Sequence, residues 1–221
     1  MPRTIGIVTG LEAEADAFFP NDGLQDSAVA FSCRAGDGWA VACAGIGKVH
    51  AAMAAQHLAM RGCDLLMSLG VAGALDPAIG TGPFWLTHAV QHDYGAARAD
   101  GFVAFRGGTM PLGEPRNIEF AAIEDPGSGL VAARIATGDC FVENAAGAQA
   151  LALRHDAQLV DMESAAIAQV AAAHGLGFAG IRAVSDGANE DSADSFQATL
   201  ARAADAAAKA AMAVLLKLQQ T

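Results

Sequence analysis

The sequence predicts an α/β fold in three layers, with helices on both faces of a central sheet. Three observations carry that prediction. Short apolar runs of strand length recur along the chain: Thr4–Val8, Leu65–Leu69, Phe84–Val90, Leu130–Ala136 and Phe178–Val184. Near-continuous apolar character is what strands buried on both faces require. Segments of helical spacing lie between them, and small-residue turns stand at the switches, which is the pattern of layered α/β domains.

Taken in order, the strand Thr4–Val8 breaks at Thr9-Gly10. A short acidic helix follows over Leu11–Phe19, carrying Glu12, Glu14 and Asp16 and ended by Pro20. Val29–Arg34 and Trp39–Cys43 form a hairpin across Gly36-Asp37-Gly38. The turn Ala44–Lys48 feeds a helix over Val49–Met60, with Gly62 past its end. Leu65–Leu69 runs into a second small-residue turn, Gly70–Gly73. His92–Pro115 is irregular, with Tyr94, Phe102, Phe105, Met110 and Pro111 as its apolar members. Leu130–Ala136 ends in Thr137-Gly138-Asp139, and Asn144 caps a helix reaching Arg154. Leu159–Gly175 is a buried strand, then Asp161-Met162-Glu163-Ser164, then an Ala-rich helix. Ser185-Asp186-Gly187 closes the strand Phe178–Val184. A polar loop, Ala188–Asp194, leads to the long helix Ser195–Leu218.

Length and composition bound the function. A chain of 221 residues without a Pro/Ser-rich linker reads as one domain over 1–221. A net charge of −11 argues against nucleic acid, which needs clustered Lys and Arg, and against an anionic membrane surface. No apolar run reaches membrane-spanning length, and the N-terminus enters a strand without a signal-peptide pattern, so a cytoplasmic protein is expected. Hydrophobic residues make up 53% of the chain, which points to a large core, an oligomer interface, or both. Cys33, Cys43, Cys63 and Cys140 have no CxxC spacing and read as small core residues. The six histidines have no ligand spacing, so neither a metal nor a cofactor is expected.

Several turns are candidates for chemistry. In open α/β sheets, ligands sit outside the carboxyl ends of the strands. Gly45-Ile46-Gly47-Lys48 is too short for a phosphate loop; it reads first as a plain turn into a helix, with proximity to a ligand as the other reading. Gly70–Gly73 admits either close ligand approach or tight packing. Taken alone, Glu163 is an acid in a first helical turn, where the dipole favours an anion. It gains meaning beside the other acidic turns, Glu12–Glu14 and Ser185-Asp186.

Six segments together resemble the nucleoside phosphorylase superfamily, and most closely its 5′-methylthioadenosine/S-adenosylhomocysteine nucleosidase branch. They are GIVTGLEAEAD (Gly6–Asp16), AGIGKVHAA (Ala44–Ala52), GVAGAL (Gly70–Leu75), GDCFVEN (Gly138–Asn144), VDMESAAIA (Val160–Ala168) and RAVSD (Arg182–Asp186). They fall in the family's order along nearly the whole chain. The resemblance implies a mixed, twisted central sheet, a small-molecule nucleoside substrate and no cofactor.

It also implies residue roles that the chemistry supports. Breaking a purine N-glycosidic bond calls for an acid at the base, stabilisation of an oxocarbenium-like sugar, and an activated water. Asp186 matches the purine-facing acid, oriented by Ser185; acting near neutral pH requires a desolvated pocket. Glu14 matches the general base. Glu163 matches the carboxylate that accepts the ribose hydroxyls. Met162 matches the thioether on the sugar face, or else fills core. Phe141 matches the ring stacked on adenine, and Val142 the backbone that reads the base edge. Asp161 and Arg182 read as a supporting ion pair. Val71 and Ala72 belong to the Gly-x-Ala-Gly turn near the sugar, where Val71 replaces the hydroxyl residue of many relatives. Phe102, Phe105, Met110 and Pro111 are the candidates for the 5′-substituent wall, part of which the partner subunit supplies in the family. A homodimer is therefore expected. A phosphorylase of the same superfamily and a non-catalytic nucleoside-binding protein are the competing readings. The first wants Arg and hydroxyl donors for phosphate; the second predicts loss of Glu14, Glu163 or Asp186, and all three are present.

Overall fold

The structure, a computed structural model, describes residues 3–19 and 31–220. The strands are β1 (Ile5–Thr9), β2 (Ser32–Gly36), β3 (Trp39–Cys43), β4 (Leu65–Ala74), β5 (Phe84–Gln91), β6 (Gly95–Arg98), β7 (Gly101–Ala104), β8 (Glu119–Ala121), β9 (Val131–Thr137), β10 (Leu159–Asp161) and β11 (Gly177–Asp186). The helices are α1 (Glu12–Phe18), α2 (Lys48–Met60), α3 (Ala145–His155), α4 (Ser164–His174) and α5 (Ser192–Gln220). Pro20 and the expected strand start at Val29 and Ala30 lie outside the described residues.

Nine strands form one mixed sheet in the order β10-β9-β5-β11-β4-β1-β3-β2, with β8 on β5. β10 pairs parallel with β9 and antiparallel with the far end of β4, so β4, β11, β5, β9 and β10 close on themselves. Alternation sorts the β1 and β4 side chains. Ile5, Ile7, Leu65 and Met67 join Ala204, Ala207 and Ala211 of α5, while Val8 and Leu66 join Leu58 of α2 and Ile167 of α4 on the other face. The Ala-rich faces let these helices approach the sheet closely.

Three expectations are corrected. Gly70–Gly73 is not a turn but the interior of β4, which pairs residue by residue with β11 from Leu65 onward. The stretch His92–Pro115 is not wholly irregular: β6 and β7 form a hairpin joined by the two-residue turn Ala99-Asp100. The C-terminal helix begins at Ser192, whose hydroxyl accepts the Asn189 N–H at 2.7 Å and shortens the expected loop.

The register of β11 against β4 slips between Val184 and Asp186, pairing them with Ala72 and Gly73. Ser185 is the extra residue of this bulge. Neighbours on a regular strand point to opposite faces, and a bulge re-aims one of them. Ser185 and Asp186 thereby reach the same place.

Candidate active site

The carboxyl ends of β1, β4, β10 and β11 open into a cavity of about 440 Å³. Glu14 stands at its floor. It is the third residue of α1 and folds back on the turn before the helix, accepting the Gly10 and Leu11 N–H groups on Oε2, each at 3.0 Å. Its Oε1 accepts the Val71 N–H at 2.8 Å. Burial pushes its carboxyl up, against the opposing pull of Arg182 and the three amides.

Glu163 is the N-cap residue of α4, but its side chain makes no cap hydrogen bond to the helix. Its Oε1 accepts the Gly47 N–H at 3.0 Å, and its Oε2 lies 3.5 Å from Arg182. Burial drives its carboxyl up to about 7; Arg182 opposes this, and the charges of Asp161 and Glu14 add to it. The turn before α2, expected to be structural, thus helps to orient a carboxylate of the cavity.

Arg182 is buried between these acids. Its Nη2 binds Asp161 at 2.7 Å and Ser68 Oγ at 2.7 Å, and its Nη1 donates to the Val71 carbonyl at 3.0 Å and lies 4.0 Å from Glu14. Asp161 also accepts the Thr137 and Ser164 hydroxyls and the Ser164 N–H. The expected Asp161–Arg182 pair is present. Gly70 makes it possible for Glu14 and Arg182 to meet: a Cβ there would stand 2.7 Å from Arg182 Nη1 and nearer still to the Glu14 carboxylate. Glu12 turns away from the cavity to Arg34 at 2.6 Å, so it has no part in the environment of Glu14.

Asp186, 6% exposed, accepts the Ser185 hydroxyl at 2.9 Å and the Ala188 N–H at 3.0 Å. Phe141, Val142 and Met162 form the wall, and Phe196 of α5 meets Phe141 edge-on with centroids 5.9 Å apart. Of the residues proposed from sequence, Glu14, Val71, Ala72, Phe141, Val142, Met162, Glu163, Ser185 and Asp186 all line the cavity. Phe105 does not. It is 3% exposed in its own chain, beneath the Arg98 guanidinium and bonded through its N–H to the Tyr94 carbonyl. Cys140, expected in the core, is exposed and lines the cavity. Leu11, Ile46 and Phe196 were not singled out from sequence; an apolar residue beside a glycine or in a helix's first turn carries no signal of its own.

A family model described as the phosphorylase superfamily matches residues 4–216, almost the whole chain. The chain belongs to the phosphorylase superfamily. It is 32% identical to a protein named futalosine hydrolase from Streptomyces coelicolor, over 81% of this chain and 82% of that one. It is 31% identical to the 5′-methylthioadenosine/S-adenosylhomocysteine nucleosidase of Treponema pallidum, over 80% and 77%. Among solved structures, the nucleosidase of the same name from Neisseria meningitidis, in complex with methylthio-immucillin-A, superposes with a TM-score of 0.83. It is 26% identical and covers 98% of this chain and all of its own. The three-layer architecture with a mixed sheet is the one these relatives share.

Proposed function

We propose that this cavity hydrolyses the N-glycosidic bond of an adenine nucleoside with a modified 5′ position, of methylthioadenosine or adenosylhomocysteine type, and releases adenine. N-glycosyl hydrolysis is the activity that the names of the relatives have in common. The observation that carries the reading is the meeting of Glu14, Glu163 and Asp186 around one cavity with Phe141 and Met162. Asp186 protonates the departing base at N7, held by Ser185. Glu163 accepts the ribose hydroxyls and supports positive charge on the sugar. Glu14 takes a proton from water at the anomeric carbon.

Glu14 also speaks for water over phosphate. The Gly10, Leu11 and Val71 amides, the donors an oxyanion would use at the cavity floor, are already occupied by its carboxylate. A second reading, hydrolysis of a nucleoside with a bulkier 5′ group, is favoured by the Streptomyces relative. A screen decides: methylthioadenosine, adenosylhomocysteine, futalosine, adenosine and inosine, each with and without phosphate. Adenine release independent of phosphate is expected. A sugar 1-phosphate, or turnover that scales with phosphate, refutes the hydrolytic reading. Asp186→Asn should lower kcat far more than it raises KM, by about 100-fold or more.

The protein acts as a homodimer in this proposal. Ile46 lines the cavity yet is half exposed, and Val49, Met53 and Met60 continue an exposed apolar stripe along α2. Met110 and Leu112 of the 92–115 segment are exposed as well. A second copy on these surfaces would cover the stripe and close the cavity. Val49→Asp with Met53→Asp should yield a monomer in light scattering and weaken 5′-alkylthio nucleosides more than adenine. A fully active wild-type monomer would overturn this.

A further inference from the structure

Outside the cavity, Lys48, Asp93 and Asp139 form a small closed ring. The Lys48 ammonium donates to Asp93 Oδ1 at 2.6 Å and stands 3.8 Å from Asp139 Oδ2. The Asp139 N–H donates to Asp93 Oδ2 at 2.8 Å, and the Lys48 N–H donates to Asp139 Oδ1 at 2.8 Å. None of the three lines the cavity.

What the ring joins gives it meaning. Lys48 opens α2 directly after Gly47, whose N–H holds Glu163. Asp139 directly precedes Cys140, Phe141 and Val142. Asp93 follows the end of β5. The segment from Cys140 to Asn144 lies in neither helix nor strand. Its attachment on the near side is Asp139 in the ring, together with the Gly138 N–H on the Asp161 carbonyl at 3.1 Å.

We propose that Lys48, with Asp93 and Asp139, is a positioning element for the reaction. It holds the loop carrying Phe141 and Val142 at a set distance from the turn that orients Glu163, so that base and ribose are gripped together. The three residues touch no substrate; they act through Phe141 and Glu163. Lys48 is the member that spans both segments. Its side chain is 18% exposed and Asp93's 28%, so the pair is shielded enough to keep its geometry and open enough to respond to salt. The proposal rests on the cavity being the nucleoside site.

Two measurements on the full chain separate the clamp from that assignment. The first is hydrogen exchange without ligand: Lys48→Met should speed exchange of the Gly138 and Asp139 amides, the hydrogen-bonded pair at the near end of the loop, severalfold, with Lys48→Arg close to wild type. Unchanged exchange in Lys48→Met overturns the clamp, whatever the substrate proves to be. The second is steady-state kinetics on the nucleoside that the wild type cleaves. Lys48→Met should raise KM about tenfold while kcat falls less than about threefold, and Lys48→Arg should recover most of the loss. Lys48→Met combined with Phe141→Ala should bind less weakly than the product of the two single penalties, because the loop then carries no ring to place, while Val142 and Glu163 still feel the clamp. An unchanged KM, or penalties that simply multiply in the double variant, would overturn it. A wild type that releases a purine base from no nucleoside would count against the site assignment, leaving the exchange result to judge the clamp.

Discussion

Two regions of this molecule bury ionisable groups in opposite ways. At the floor of the cavity, Glu14, Asp161 and Glu163 surround Arg182, and each makes hydrogen bonds to an amide, a hydroxyl or the guanidinium. Beyond β5 and β9, His92 and His155 are buried with ring nitrogens that have no partner among the described residues. Burial holds both rings below their ordinary range, His155 at about 4. One region keeps three acids against one cation and satisfies them; the other keeps its groups neutral. The difference teaches where the fold spends its polar contacts: on the carboxylates and the guanidinium that meet at the cavity, and not on the two histidines.

Removing the shared cation should break the first region most severely. Arg182→Met leaves three carboxylates facing one another without a counter-charge, and losing one partner of a buried pair costs about 3–5 kcal/mol. Denaturant unfolding should show that loss, and a variant as stable as wild type would mean that the acids carry protons instead. Glu14→Gln keeps the size of the side chain and removes the proposed base. Turnover should fall about 100-fold, and the melting temperature should fall as well, because the amide NH2 must face either the Val71 N–H or the Gly10 and Leu11 N–H groups; a variant that retains most of its kcat would exclude Glu14 as the base.

Glu163→Gln sharpens the contrast between function and stability. The folded chain holds the Glu163 proton up to about pH 7, whereas the ordinary value is 4.5. The folded state therefore binds more protons across that interval, and the contribution of this group to stability falls as pH rises through it. Above pH 7 the glutamine variant should melt a few degrees higher than wild type, by roughly 2–4 °C for each kcal/mol relieved, while turning over far more slowly. A lower melting temperature at pH 8 would show that the ionised carboxylate is net stabilising.

The smallest effect belongs to the histidine region. An ordinary histidine takes up its proton near 6.5, and folded His155 resists until about 4. The unfolded state binds more protons in that window, so stability falls as pH drops from about 6.5 towards 4. His155→Leu should flatten the melting temperature between those limits, and an unchanged slope would place the acid sensitivity elsewhere, His92 first.

Much of this was legible in the chain. Apolar runs at strand length and Ala-rich helical faces mark the layers, because burial on a sheet leaves a periodicity of its own. Glu14 at the third position of a short helix and Glu163 after a strand are local patterns, and both fall within the six segments that resemble the superfamily. The Gly70–Gly73 stretch misled. Four small residues read as a turn when only neighbours in sequence are considered, but here they leave room for Glu14 and Arg182 beside a central strand. The hairpin at Gly95–Ala104 leaves no strand pattern, because β6 is Gly-Ala-Ala-Arg, without a β-branched or aromatic residue.

By itself, then, the sequence determined the layer architecture, and the acids and the aromatic ring Phe141 that line the cavity, since each depends on residue type and on spacing along a strand or a helix turn. Tertiary structure alone decided that Phe105 packs inside its own chain, that the turn before α2 orients Glu163, and that one guanidinium sits among three carboxylates. Those contacts join segments from several to more than 100 residues apart. No local pattern encodes them, because their energies come from burial and from hydrogen-bond partners that meet only when the sheet has formed.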